Sequence, residues 1–315
     1  MNRTLLTIEG RFALHFERRL HHPVEKVWRA LTVADDLRRW FPAAIEGERA
    51  LGAPLRFVFA GDAVSPPTGG QITAFEPPTL FEFLWGGELL RWELQLDTSG
   101  CLLRFTHTFD DRAGAASFAA GWHGCLDALG TLLDSQPGEI ASPDWAARHE
   151  EYVERFGLAT GTVERTADGW LICFERQLTA PRTTVWAELT ATGQESSNAG
   201  KPLVGENPPL RVTNGYVPAG AITAVAPPTL LEYSWQAADE PAGQVRWALS
   251  NGPGGTRLKL TQTVPATMAE QRPLLLAVWQ THLELFTDHL KGIERCPWPT
   301  ERTEELQRQY AEALA

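Results

Sequence analysis

Residues 70–85 read GQITAFEPPTLFEFLW and residues 220–235 read GAITAVAPPTLLEYSW, identical at ten of sixteen positions. Three further pairs occur in the same order: FERRLHHPVEKVWRALT (16–32) with FERQLTAPRTTVWAELT (174–190), RWELQL (91–96) with RWALSN (246–251), and WHGCLDALGTLL (122–133) with WQTHLELFTDHL (279–290). The offset between copies stays between 150 and 158 residues. Solenoid units run about 20–50 residues, so this period is that of a duplicated domain. The 315 residues therefore divide into two modules, 1–158 and 159–315. Each is long enough to bury a core, and function has to be sought in one module and in where the copies differ.

Bulk properties exclude several classes. The formal net charge is −11 and no cluster of Lys and Arg is present, which argues against nucleic acid as a partner. The pairs Arg18–Arg19 and Arg38–Arg39 read as isolated solvated charges. No apolar run approaches the roughly 20 residues of a membrane span, and MNRTLLTIEGRF lacks a signal-peptide core, so a cytoplasmic location is expected. The four cysteines, Cys101, Cys125, Cys173 and Cys296, show no CxxC spacing and read as buried free thiols. Tryptophan is abundant, 12 residues, and recurs between copies as Trp28/Trp186, Trp85/Trp235, Trp92/Trp247 and Trp122/Trp279. Such residues pack cores, and they also line cavities for flat or apolar ligands.

Within one module the periodicity changes twice. RFALHFERRL (11–20) alternates, with Phe12, Leu14 and Phe16 on one face, as in a half-buried strand. Pro23 suits the first turn of a helix whose Val24, Val27, Trp28 and Leu31 share a face. A second short helix, DDLRRWF, is expected from an Asp35 cap and stops before Pro42. Short strand-like segments come next, PLRFVFAG, GQITAFE, TLFEFLW, LLRWELQLD and CLLRFTHTF, separated by Pro66–Pro67, Gly69–Gly70, Pro77–Pro78, Gly86–Gly87 and Ser99–Gly100. This spacing predicts an antiparallel meander, and without βαβ alternation a parallel sheet is not expected. From Ala115 to Leu133, Phe118, Trp122, Cys125, Leu126, Leu129 and Leu133 form one helical stripe. Gly121, Gly124 and Gly130 sit off it or at its edge, at a cost of about 1 kcal/mol each, so a packing reason is expected. Ser142–Pro143 then caps a last helix, matched in the second copy by PWPTERTEELQRQYAEAL. The expected fold class is α+β: a curved antiparallel sheet wrapped around one long helix, with a gap between them.

These elements resemble the START-like (helix-grip) superfamily, and more closely the bacterial homologues of the activator of the heat-shock-protein-90 ATPase. The resemblance rests on FERRLHHPVEKVWRALT followed by LRRWF, then GGQITAFEPPTLFEFLW, LLRWELQL and GWHGCLDALGTLL, and covers residues 8–136 and, more weakly, 166–293. It implies a fold and a cavity and carries no shared catalytic residue set. Two departures stand out. Nothing here resembles the separate chaperone-binding domain of the eukaryotic cochaperone. Where the first module has ADDLRRWFPAAIEGER, the second has ATGQESSNAGKPLVGENPP, which reads as a loop. The portal side of the second module is therefore expected to be open or mobile, without a counterpart to Trp40.

The search for chemistry is sparser. HEXXH, zinc-spaced Cys/His clusters, a GxSxG elbow and phosphate-binding glycine loops are all missing, so neither a metal nor a cofactor is expected. His21–His22 diverge as neighbours and do not chelate. His282 and His289 lie seven apart, two turns or about 10.5 Å along a helix, too far to share one metal. His289 is expected to reach water and His282 to bond a neighbour or anchor a ligand. Alternation places Glu82, Glu232, Arg91 and Arg246 outward. His107, between Phe105 and Phe109 in strand spacing, is a candidate for the cavity. No catalytic residue is assigned. The leading expectation is binding of a small apolar or amphipathic molecule, lined in the first module by Trp40, Phe57, Trp85, Trp92, His107, Phe118, Trp122, Cys125 and Leu129, and in the second by Trp235, Trp247, Trp279, His282 and Phe286. A chaperone-regulating or stress-response interaction module, and a cyclase or hydrolase using a cavity His or Glu, are the alternatives. The tandem is also expected to mimic a dimer within one monomeric chain.

Overall fold

A computed structural model of the chain describes residues 2–59, 68–135, 144–191, 202–238 and 240–315. The turn expected at Pro66–Pro67, the cap expected from Ser142–Pro143 and the first half of the loop expected after Ala191 lie outside the described residues. The chain forms two compact units, Met1–Tyr152 and Val153–Ala315.

The first unit is built on a fully antiparallel eight-stranded sheet of order β1-β2-β8-β7-β6-β5-β4-β3. Its strands are β1 (Asn2–Ile8), β2 (Arg11–Leu20), β3 (Ala44–Glu46), β4 (Pro54–Val58), β5 (Thr68–Glu76), β6 (Leu80–Trp85), β7 (Glu88–Asp97) and β8 (Gly100–Phe109). Helix α1 (Val24–Thr32) and the single turn α2 (Ala34–Leu37) come after β2, and the long α3 (Ala115–Leu133) comes after β8. Alternation on β8 turns Cys101, Leu103, Phe105, His107 and Phe109 inward, where all are buried against α3. The Trp92 and Phe105 rings, direct cross-strand partners, stack at 3.9 Å. Trp40 closes on Trp92 at 5.4 Å and bonds the Ala30 carbonyl at 2.9 Å, so it welds the α1–α2 corner to the sheet.

Of the off-stripe glycines of α3, Gly130 has the packing reason expected of it, whereas a Cβ at Gly121 or Gly124 would make only ordinary van der Waals contact. Helix α4 (Trp145–Arg155) lies on the outer face of α3, and a Cβ at Gly121 would sit 3.7 Å from the Trp145 ring. At Gly130 it would sit 3.3 Å from the guanidinium of Arg18. That arginine corrects the reading of Arg18–Arg19 as solvated: Arg18 donates to the Leu126 carbonyl and pairs with Asp127 at 2.5 Å, tying β2 to α3. Asp35 does not cap α2. Val33 occupies the N-cap, and Asp35 pairs with Arg38 at 2.7 Å instead.

The second unit repeats the plan with six strands, in order β11-β12-β13-β14-β10-β9. They are β9 (Thr162–Arg165), β10 (Gly169–Leu178), β11 (Ala219–Ala226), β12 (Leu230–Ala237), β13 (Glu240–Gly252) and β14 (Gly255–Pro265). Helix α5 (Arg182–Thr190) corresponds to α1, the long α6 (Arg272–Leu290) to α3, and α7 (Thr300–Ala313) to α4. The repeated PPTL motif makes the same turn twice: the Thr79 and Thr229 amides bond back to the Glu76 and Ala226 carbonyls at 2.7 and 2.8 Å. In its described part, the stretch expected to leave an open or mobile portal is anchored to the sheet. A 3-10 turn at Leu210–Val212 buries Val212, whose carbonyl accepts from the Tyr233 hydroxyl at 2.7 Å and the Trp247 indole at 3.1 Å. No helix among the described residues is long and apolar enough to cross a membrane.

Candidate functional site

The antiparallel registers align the two sites residue by residue. Leu90 pairs with His107 in the first sheet and Val245 with Gln262 in the second, while Trp85 faces Glu88 and Trp235 faces Gly243. Trp122 and Trp279 occupy the same turn of the two long helices.

In the first module these residues border a cleft of about 330 Å³ between α3 and the sheet. Its walls are Pro42, Trp85, Glu88, His107, Ser117, Phe118, Gly121, Trp122 and Cys125. His107, 2% exposed, is central. The Trp122 indole N–H donates to His107 Nδ1 at 3.0 Å, and His107 Nε2 lies 2.8 Å from Glu88 Oε2. An indole nitrogen only donates, so Nδ1 carries the lone pair and the ring proton sits on Nε2, from which it is donated to the carboxylate. Both ring nitrogens are thereby engaged, and His107 has no free lone pair with which to take a proton. Phe109 and Phe118 pack on the imidazole at 5.0 and 5.2 Å between centroids. Ser117, on the first turn of α3, is buried and its Oγ has no hydrogen-bond partner. Burial pushes the Cys125 thiol up to about 12, which favours the protonated form.

The same place in the second module is filled. Gln262, 0% exposed, takes the position of His107, and its Oε1 accepts the Trp279 indole N–H at 2.7 Å. Gly243 replaces Glu88, and the Trp235 ring folds into that space with its Nε1 on the Thr263 carbonyl at 2.8 Å. A Cβ at Gly243 would lie 2.7 Å from that indole nitrogen and 2.5 Å from Thr263 Oγ1, so only glycine permits the arrangement. Leu274, Leu275 and Val278 stand where the first module has Ser117, Phe118 and Gly121; of the three, Leu275 and Val278 are fully packed. Trp85, facing a residue with a side chain, stays at the cleft wall and stacks on Phe57 at 4.9 Å and Phe59 at 5.8 Å.

A different pocket, of about 500 Å³, lies in the second module between residues 210–215, α6 and residues 293–298. His282 and Phe286 are on its wall. His282 Nε2 bonds the Arg211 carbonyl at 2.9 Å, and desolvation pushes its pKa down to about 4, leaving a neutral ring. His289 does not simply reach water, since its nitrogens meet Glu294 at 2.9 Å and Glu188 at 2.8 Å.

Of the residues chosen from sequence, Trp85, His107, Phe118, Trp122 and Cys125 meet at the first cleft, and His282 and Phe286 at the second pocket. Trp40, Phe57, Trp92 and Leu129, and likewise Trp235, Trp247 and Trp279, sit in packed core away from either wall. Sequence reasoning passed over Pro42, Glu88, Ser117 and Gly121. A signal existed for Glu88: a two-residue Gly86–Gly87 turn must set the residue after it across from Trp85. Glu82 faces out as expected, bonded to Thr73 at 2.8 Å and Arg91 at 2.9 Å. Among the cysteines, Cys101 is buried, Cys125 and Cys173 are half-buried, and Cys296 is exposed, so the expectation of buried thiols is corrected for Cys296. Among the described residues no three His, Cys, Asp or Glu side chains cluster as metal ligands.

Comparison with known proteins places the chain. The model of the family described as Activator of Hsp90 ATPase homolog 1-like protein matches twice, over residues 21–134 and 178–291. Solved structures that resemble it include a conserved protein of unknown function from Enterococcus faecalis (19% identity, 49% of this chain and 89% of that one, TM-score 0.43). Others are CalU16 from Micromonospora echinospora (24%, 50% and 95%, TM-score 0.39) and an AHSA1-like protein from Aeromonas hydrophila (18%, 40% and 97%, TM-score 0.35). Among curated proteins nothing matches. With the family model fitting both halves, and together most of its length, this chain belongs to the Activator of Hsp90 ATPase homolog 1-like protein family.

Proposed function

We propose that the first module binds a small, largely apolar molecule in the cleft between α3 and the sheet. The observation that carries this reading is the cleft itself: about 330 Å³ walled by Trp85, Phe118, Trp122 and Pro42, with the unpartnered hydroxyl of Ser117 on its wall. That volume lies at the small end of ligand pockets, which run about 300–1,000 Å³. The second module, filled at the equivalent place, supports the same reading, because it holds the fold together without this cleft. Regulation of a chaperone rests on the family description alone.

The test is a titration of the full chain with small aromatic and short alkyl compounds, followed by tryptophan emission and calorimetry. Saturable binding is expected, and Ser117→Leu, which installs the second module's residue, weakens it by about tenfold or more, about 1.4 kcal/mol. No saturable response from any compound up to millimolar concentration overturns the proposal.

A further inference from the structure

The cleft holds one feature that apolar binding leaves unused, the carboxylate of Glu88. We infer that the first module selects a cationic ligand, a small amine with an aromatic or alkyl body, whose ammonium group is held by Glu88; this rests on the reading of the cleft as a ligand site.

Three observations carry it. First, the Trp122–His107–Glu88 chain fixes the histidine proton on Nε2, so His107 approaches Glu88 as a neutral donor and leaves the carboxylate's charge uncancelled. Glu88 Oε2 is occupied by this bond, and the side chain, which borders the cleft, keeps 36% of its surface exposed. The neighbouring cation is committed elsewhere: Arg11 bonds the Gly87 carbonyl at 2.8 Å and pairs with Asp110 at 2.7 Å. Among the described lining residues, no Lys or Arg faces Glu88. Second, the rings of Trp85, Phe118 and Trp122 are part of the same wall, and aromatic faces attract an ammonium group as well as an apolar body.

Third, the duplicate acts as an internal control. It keeps the indole-to-acceptor bond with Gln262 in place of His107, and it dispenses with the carboxylate through Gly243. The buried indole needs an acceptor and the fold does not need the acid. His107 differs from Gln262 in being able to hold a carboxylate with its second nitrogen while the first serves the tryptophan. His107 is thus a positioning residue, and Glu88 is the group that touches the ligand.

The experiment uses the full chain and three compounds of one shape: 4-phenylbutylamine, 4-phenylbutanol and 4-phenylbutyrate, measured by calorimetry at neutral pH. A charge-assisted hydrogen bond in a partly desolvated site predicts that the amine binds about tenfold or more tightly than the alcohol, and that the carboxylate compound binds weakest. Glu88→Gln brings the amine-to-alcohol ratio down to about one, while Glu88→Asp retains a preference for the amine. Unchanged thermal unfolding of both variants shows that the fold is intact. An amine-to-alcohol ratio that survives in Glu88→Gln, or 4-phenylbutyrate binding as tightly as the amine, overturns the inference and leaves the cleft standing as a ligand site. Failure of all three compounds to bind the wild-type chain overturns both.

Discussion

The two modules solve one packing problem in opposite ways. Each lays a tryptophan of its long helix, Trp122 or Trp279, against the inner face of its sheet and supplies that indole with an acceptor on the matching strand. Each also carries a second tryptophan, Trp85 or Trp235, toward the C-terminal end of the strand two places along the sheet, β6 or β12. The residue across from this second ring decides where the ring goes. Gly243 lets Trp235 fill this place in the second module, whereas Glu88 stands across from Trp85 at a polar-edged cleft in the first. At this place the first copy keeps a cleft and the second fills it, and the difference between them is a single cross-strand pair.

The largest effect that can break this comparison comes from the paired tryptophans. Trp235 is fully buried, and Trp235→Ala is expected to cost the second module about 3–5 kcal/mol. Trp85→Ala, at a half-exposed ring, is expected to cost the first module under half as much and to abolish ligand-induced changes in emission. A two-module chain need not unfold in one step, so module-resolved hydrogen exchange is the suitable measurement. Equal costs would mean that Trp85 is as much a core residue as Trp235, and the contrast fails.

A second, smaller effect depends on pH. His282 is held near 4 against an ordinary 6.5 by desolvation, while the same position in the first module is Cys125. Between those values the unfolded chain takes up a proton that the folded second module does not. Stability of that module therefore falls as pH drops from about 6.5 to about 4, by at most about 3 kcal/mol for this one group. His282→Gln is expected to flatten the second module's profile across that window. The first module has its own source of slope in His123, lowered to about 4 chiefly by burial and then by Arg3, so its profile should not respond to the substitution. A second-module profile unchanged in His282→Gln sinks the assignment.

The legible part of the molecule was whatever short-range periodicity encodes. The alternation of CLLRFTHTF made His107 a candidate for the inner face, and the stripe from Phe118 to Leu133 marked the long helix that packs on it. β1 was not legible, because NRTLLTI lies at a sheet edge with Leu6 and Ile8 exposed and so carries no buried alternation. Its turn, Glu9–Gly10, has positive φ at both residues, and Glu-Gly is a weaker hairpin signal than Asn-Gly. The candidate site was only half legible for a different reason. Trp85 and Trp235 recur within nearly identical segments, and what separates a cleft wall from a core plug is the pair formed with Glu88 or Gly243. Pairwise exclusion across strands leaves no mark on the periodicity of either strand.

The smallest effect tests the bond that both modules share. His107→Gln keeps an acceptor for Trp122, as Gln262 does for Trp279, and is expected to change the first module's stability by less than about 1 kcal/mol. His107→Leu leaves the Trp122 N–H buried without an acceptor and is expected to cost about 1–3 kcal/mol. Gln262→Leu should cost less than His107→Leu, because Gln262 Nε2 already lacks a partner, so the substitution removes one unsatisfied group as it creates another. Hydrogen exchange along α3 and α6 reads the two costs separately. If His107→Gln proves as damaging as His107→Leu, the imidazole has a structural role that glutamine cannot reproduce, and the equivalence between the two acceptors is lost.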